Sequence, residues 1–270
     1  MQSRRAAALI GLCFSLISAA ADADALARAG RSLVREYADT VVTLRIVLSE
    51  SFTFSGRSGS RFESVTETTG TIIQPDGLIV ASLIATDPSK IYDDLFEEFE
   101  DADFSFDFQS DLDAMTIILG DGEEIHAEIV LRDTDLDLIF VRPHARALRV
   151  FPHVDLSHSS MPEQFDRVAV LRRLGKVANR TVTAQFPRVL AALEKPRPMS
   201  VLSPLDDDTG HPVFALNGKF VGMTTFRMIR ITGGETSSMF SDFENATAIT
   251  VVPASEILRD VQQIVEIFSD

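Results

Sequence analysis

One turn in the last third of the chain concentrates side chains that could do chemistry. It reads Asp206-Asp207-Asp208-Thr209-Gly210-His211-Pro212 and so combines carboxylates, a hydroxyl and an imidazole. A threonine hydroxyl acts as a nucleophile when a base takes its proton, and in known cases that base is a free N-terminal amine, whereas Thr209 is internal. Pro212 fixes the backbone after His211, which disfavours a return of the ring to the Thr209 hydroxyl. The turn therefore offers a nucleophile without an evident base.

The elements around this turn are short apolar or alternating runs bounded by turn residues. This pattern is typical of strands and favours an all-β barrel or sandwich. After the last run, Ser255 to Phe268 carries apolar side chains at helical spacing. The predicted strands are Val41 to Leu48, Gly70 to Val80, Met115 to Leu119, Glu124 to Val130, Leu138 to Val141, Arg167 to Leu171, Thr181 to Phe186, Pro212 to Leu216, Lys219 to Thr225 and Ala248 to Val252.

Five segments of the chain carry a family resemblance. They are residues 70–80 (GTIIQPDGLIV), 117–130 (IILGDGEEIHAEIV), 133–141 (DTDLDLIFV), 207–212 (DDTGHP) and 246–253 (ATAITVVP). In this order they resemble the protease domain of the HtrA family of trypsin-like serine proteases, over about Val41 to Ile267. The resemblance implies an all-β fold of two antiparallel β-barrels of the six-stranded type, followed by a C-terminal helix.

The same resemblance assigns the three positions of a catalytic triad to Ile84, Asp135 and Thr209. Threonine stands where the family has serine, and the Ile84 side chain offers neither a lone pair nor a charge. Loss of the base alone costs on the order of a millionfold in turnover. Asp207 occupies an oxyanion-hole position, where a carboxylate opposes the charge that develops on the substrate oxygen. An inactive protease is predicted, in which Asp135 bonds nearby backbone N–H groups.

An acidic, phenylalanine-rich insertion at residues 87–113 departs most from the family pattern. From Asp93 to Asp113 it holds ten carboxylates and no base. One interpretation is a solvated loop with a short helix, Ile91 to Phe99. The other is a docking surface for a basic, partly apolar partner, in which rings supply buried area and carboxylates supply steering. The candidate binding residues are then Phe96, Phe99, Phe104, Phe106 and Phe108.

No cofactor and no metal site is expected. The histidines outside the turn lack the characteristic spacing of a zinc site. The acids of the insertion lack the regular spacing and the glycine of a calcium loop. These other histidines are His126, His144, His153 and His158.

The N-terminus has the pattern of an export signal. Arg4 and Arg5 precede the apolar run Ala6 to Ala21, which ends in small residues suited to cleavage. The alternative is an uncleaved membrane anchor, although the run is shorter than the roughly 20 apolar residues that a span needs. We expect an exported protein, periplasmic or secreted. The net charge of −15 disfavours nucleic acid as a partner.

The predicted organisation is a signal peptide over 1–21, an N-terminal helical segment over 22–40, and the double-barrel domain over 41–270 without a PDZ domain. The favoured function is a pseudoprotease that binds or regulates a polypeptide. One alternative is an active serine-type endopeptidase with Ser82 or Ser203 as nucleophile. Another is a structural or assembly protein that binds through the acidic insertion. The N-terminal segment is also compatible with a homo-oligomer.

Overall fold

Two antiparallel sheets form the body of the protein, and the first is complete before the second begins along the chain. The computed structural model describes residues 24–54, 57–89, 106–144, 149–195, 197–203, 209–228 and 247–267. The first sheet closes into a six-stranded barrel, and the second is a curled, seven-stranded half-barrel. A short N-terminal helix and a C-terminal helix complete the fold. The prediction of a mostly β protein with a C-terminal helix is confirmed.

The strands have the following bounds. The first sheet contains β1 (Val41–Phe54), β2 (Arg57–Ser58), β3 (Phe62–Ile72), β4 (Ile79–Ser82), β5 (Phe106–Ile118), β6 (Glu124–Asp133) and β7 (Leu138–Pro143). The second contains β8 (Val168–Arg173), β9 (Val182–Gln185), β10 (Val189–Leu193), β11 (Met199–Leu202), β12 (Pro212–Ala215), β13 (Phe220–Met228) and β14 (Thr247–Pro253).

Strand β1 closes the first barrel because it pairs with both β3 and β5 along nearly its whole length. Alternate residues of β1 point into the barrel, and Val42, Leu44, Ile46 and Leu48 are buried there. This period of two is the signature of a strand with one face on a core. Beyond the barrel, the same three strands continue as a ribbon, since β4 pairs only with the last three residues of β3.

The half-barrel has the strand order β10-β11-β14-β13-β12-β8-β9. Helix α1, residues 24–37, packs against it: Leu33 is buried, and the ring of Tyr37 stacks on that of Phe214 at 4.3 Å between centroids. Helix α2 (Ala254–Ile267) buries Ile257, Val261 and Ile264, which lie on one face at helical spacing. Both helices share one core cluster with residues of the two sheets.

Arg173, at the end of β8, joins the two sheets through backbone carbonyls. Its guanidinium donates to Val41 O at the start of β1, to Ala38 O and to Arg180 O. Hydrogen bonds from a charged donor are roughly twice as strong as neutral ones. Arg173 therefore fixes the end of β8 in the second sheet to the start of β1 in the first.

The helices of the described residues include no segment with the length and hydropathy that a bilayer crossing requires. The acidic insertion is described at residues 87–89 and again from Phe106 onward, where it forms the first part of β5. The predicted helix Ile91 to Phe99 lies outside the described residues, as does the predicted signal peptide over 1–21.

Candidate functional site

Three polar side chains form a hydrogen-bonded chain where the two sheets meet. Thr209 Oγ1 donates to Ser82 Oγ at 3.0 Å, and Ser82 Oγ donates to Asp137 Oδ2 at 2.8 Å. Ser82 ends β4 and Asp137 precedes β7, whereas Thr209 precedes β12 of the second sheet. Each hydroxyl donates its one proton, and the chain ends at a carboxylate, which accepts only. The arrangement therefore bridges the sheets.

Asp137 is the centre of this arrangement. Its backbone is in the left-handed region, with φ of 57°, which aspartate tolerates better than most residues. Its Oδ1 accepts the Ile84 N–H at 2.9 Å, and its Oδ2 also accepts the Phe226 N–H at 3.3 Å. Since Phe226 belongs to β13, the carboxylate holds backbone groups of both sheets. Ser82 is fully buried beside it.

The structure brings two of the three predicted triad positions to this place. Ile84 lies in the turn after β4 with its backbone N–H bonded to Asp137, and Thr209 is at the start of the chain of hydroxyls. The carboxyl group of Asp135 is elsewhere: its side chain is 78% exposed and lies 3.7 Å from Arg197 Nη2. The carboxylate at the meeting point belongs to Asp137, two residues further on.

A signal for Asp137 was present in the sequence. In the HtrA-type motif that residues 133–141 resemble, alanine stands where this chain has Asp137, so a charged side chain replaces a small apolar one. The fourth predicted position, Asp207, lies outside the described residues.

His211, the imidazole nearest to Thr209 in sequence, is only 4% exposed. Its backbone is bonded to β13, because its N–H donates to Thr224 Oγ1 and its carbonyl accepts the Thr224 N–H, both at 2.9 Å. Burial, with a smaller effect from nearby Arg172, lowers the pKa of the imidazole to about 3. A neutral imidazole with so low a pKa is a poor proton acceptor at neutral pH. The Thr209 hydroxyl donates to Ser82 and not to this ring.

Two of the remaining histidines, His153 and His158, contact local partners. His158 Nδ1 lies 2.7 Å from Asp155 Oδ2. The hydrogen bond from the Ser157 hydroxyl, followed by this contact and by the Ser157 backbone N–H, lowers the pKa of Asp155 to about 2. His153 Nδ1 lies 3.1 Å from Phe151 O. Among the residues that the structure describes, no three His, Cys, Asp or Glu side chains are arranged to hold a metal ion.

A polar cleft of about 300 Å³ opens beside the hydroxyl chain. One wall comes from β1 and β3 and the other from the end of β8 and the turn before β12. Gly210, with φ of 81°, lets that turn approach closely, since a Cβ there would lie 3.0 Å from Ser82 N and 3.2 Å from Thr69 O. The lining residues include Thr43, Thr66, Thr68, Thr69, Arg173 and Thr209.

The predicted binding phenylalanines are only partly described. Phe96, Phe99 and Phe104 lie outside the described residues, and of Phe106 only the backbone in β5 is described. Phe108 is half-buried on the ribbon, opposite Phe52 of β1. Phe52 is not among the predicted binding residues, although its alternation with Leu48 along β1 indicates a longer strand than the predicted one.

Comparisons with known proteins assign no family to this chain. A scan against protein-family models finds no match, and a search of curated proteins finds no significant match. The structure has two antiparallel, barrel-like sheets with a C-terminal helix, which is consistent with a trypsin-like fold. The relation to the HtrA family stays a prediction from the sequence motifs.

Proposed function

We propose that this chain is an exported, HtrA-type pseudoprotease, which holds a polypeptide in the cleft between its sheets without cleaving it. The hydroxyl chain from Thr209 through Ser82 to Asp137 is the observation that carries this proposal. It lies where the triad of an active relative is expected, and it links the sheets in place of catalysing a reaction.

Proton transfer is the step that this arrangement lacks. The Thr209 hydroxyl proton points at another hydroxyl, Ser82, which is neither charged nor basic. The Asp137 carboxylate already accepts hydrogen bonds from Ser82, Ile84 and Phe226, so it is poorly placed to take a proton. Removal of the base costs on the order of a millionfold in a serine protease.

The polar cleft supports a binding role. Threonine hydroxyls both donate and accept hydrogen bonds, as the backbone of an extended polypeptide does. Thr68 and Thr69 place such groups on one wall, and Thr209 places one on the other. The net charge of −15 disfavours a nucleic acid in the same place.

An active endopeptidase is the second candidate, because Ser82 Oγ lies 2.8 Å from a carboxylate oxygen. This is the distance of a nucleophile from its base. Against it, the Ser82 side chain is fully buried, which denies a substrate access to the hydroxyl. Ser203, the other candidate nucleophile, accepts the Arg188 backbone N–H at 3.0 Å.

A fluorophosphonate probe separates these two candidates. We expect no covalent incorporation into the purified protein, with trypsin as the positive control. Incorporation that is abolished in Ser82→Ala, Ser203→Ala or Thr209→Ala would establish an activated hydroxyl and refute the proposal.

The binding role needs its own test. Unfolded, fluorescein-labelled β-casein is titrated with the protein, and binding should raise the fluorescence anisotropy of the label. Thr68→Phe, which fills the cleft, should weaken this binding by about tenfold, on the scale of lost interface contacts. Thr183→Phe in β9, outside the cleft lining, is the matched control. Equal affinities for both variants and the wild type would contradict binding in the cleft.

A further inference from the structure

Glu50 is a largely buried acidic residue that lies away from the cleft. It lies on β1 in phase with the core residues Leu44, Ile46 and Leu48, where the next inward position would be expected to be apolar. Only 9% of the residue is exposed. Among the contacts of the described residues, none gives the Glu50 carboxylate a hydrogen-bond or ion-pair partner. Its oxygens keep contact with solvent, so a cation can reach them from outside.

Glu50 lies at the centre of the ribbon, which consists of residues 48–54, 62–64 and 106–112. Strand β1 is the middle strand, so neighbours flank Glu50 on both sides: Phe62 on β3 and Ser110 on β5 are directly opposite it. Two residues further along the same face, Phe52 is opposite Phe108. We call this face, with Glu50, Phe52, Phe62 and Phe108, the inner face of the ribbon.

The aromatic residues of the inner face remain partly open to solvent. Phe52 is 41% exposed and Phe62 is 45% exposed, although both continue the pattern of a barrel core. Large apolar side chains that stay exposed together indicate a surface that another molecule covers.

The opposite face of the ribbon is polar and carries Glu63, Asp107 and Asp111. Asp111 pairs there with Arg61 at 3.0 Å. The inner face differs because its carboxylate lies next to partly exposed aromatic rings.

We propose that the inner face binds a polypeptide segment of another protein that presents a lysine or arginine between apolar side chains. The cation supplies the partner that the Glu50 carboxylate lacks, and the flanking apolar side chains cover Phe52 and Phe62. Aromatic rings also attract a cation through the negative potential of their faces. The overall negative charge of the chain steers such a basic segment towards it. This interaction does not depend on the function proposed for the cleft.

Three fluorescein-labelled peptides test the proposal in solution. They are identical glycine- and serine-rich peptides with a central Leu-X-Leu, in which X is lysine, norleucine or glutamate. We expect the full chain to bind the lysine peptide about tenfold more tightly than the norleucine peptide, as for a partly desolvated charge pair. The glutamate peptide should bind most weakly. Equal affinity for lysine and norleucine would overturn the proposal.

Two substitutions of the same chemistry locate the effect. Glu50→Gln should abolish the preference for lysine over norleucine, while Glu63→Gln should retain it. Glu63 is an exposed glutamate of β3 whose partner Ser49 lies on the opposite face, so it is a matched control. A preference that survives Glu50→Gln, or that both variants lose equally, would contradict the assignment.

Folding and self-association are checked with the same samples. Thermal unfolding should show that Glu50→Gln keeps the wild-type transition, because the carboxamide fits the same space. Phe62→Ser should weaken the binding of the lysine peptide and of the norleucine peptide equally, because both lose an apolar contact. If sedimentation instead shows a dimer that Phe62→Ser dissociates, a second copy occupies the face and the proposal fails.

Discussion

Replacement of Asp137 by alanine should destabilise the fold strongly, since this carboxylate holds both sheets. The change leaves the Ser82 hydroxyl and the backbone N–H groups of Ile84 and Phe226 without their acceptor. Each buried group left unsatisfied costs about 1–3 kcal/mol, so we expect a loss of about 3–5 kcal/mol in the free energy of unfolding. An asparagine at this position would tolerate the left-handed backbone and keep one acceptor, so Asp137→Asn should lose about 1–3 kcal/mol.

Urea unfolding at neutral pH measures these losses, with Asp135→Ala as the matched control. Asp135 is exposed, and its contact with Arg197 is 3.7 Å long, so its removal should cost less than about 1 kcal/mol. The two aspartates are separated by one residue, which makes the comparison a test of position. If Asp137→Ala and Asp135→Ala are equally mild, the carboxylate does not hold the sheets together and the reasoning is refuted.

Three further predictions concern stability. Burial and the neighbouring carboxylates of Asp133 and Glu256 raise the pKa of Asp260 to about 6, against the opposing effect of Arg197. As the pH rises from about 4 through 6, the wild type should therefore lose up to about 3 kcal/mol of unfolding free energy relative to Asp260→Asn. Urea unfolding at several pH values measures this, and a pH-independent difference would contradict it. Gly222→Ala should lower the free energy of unfolding by about 3 kcal/mol or more, or prevent folding, because the added Cβ would lie 1.9 Å from Val252 O. In Gly175→Ala, the control, the added Cβ has no atom within 4 Å, so thermal melts should stay close to wild type. Arg173→Met should lower the free energy of unfolding by about 2–4 kcal/mol because three carbonyls lose a charged donor, and a loss below about 1 kcal/mol would count against its role between the sheets.

The strand pattern could be predicted from the sequence wherever one face of a strand is buried. Val41 to Leu48, Lys219 to Thr225 and the helix after Ser255 all show their period clearly, and each corresponds to an element of the structure. Strands β10 and β11 were missed. In β10, Ala191 and Ala192 have little strand preference, and β11 has only four residues.

The ribbon was underestimated for a related reason. Strand β1 continues to Phe54 and β5 begins at Phe106, six and nine residues beyond the predicted ends. Polar residues, among them Glu50, interrupt the alternation of apolar residues there. The strands extend nevertheless because β1 and β5 hydrogen-bond to each other along this stretch. That pairing is a tertiary effect, which a single strand's sequence does not contain.

Motif spacing assigned Ile84 and Thr209 to one site, and in the structure both belong to the arrangement around Asp137. It could not decide between two aspartates in one turn, because the choice depends on the left-handed backbone of Asp137 and on the donors of β13. Ser82 was named only as an alternative nucleophile, and its bonds to both Thr209 and Asp137 follow from the approach of the two sheets.

The most direct test of the central claim is the turnover of β-casein by the purified protein, followed by mass spectrometry of the products. We predict a cleavage rate equal to that of buffer, unchanged in Ser82→Ala and Thr209→Ala. Specific cleavage by the wild type that either substitution abolishes would contradict the claim that these hydroxyls link the sheets and do no chemistry.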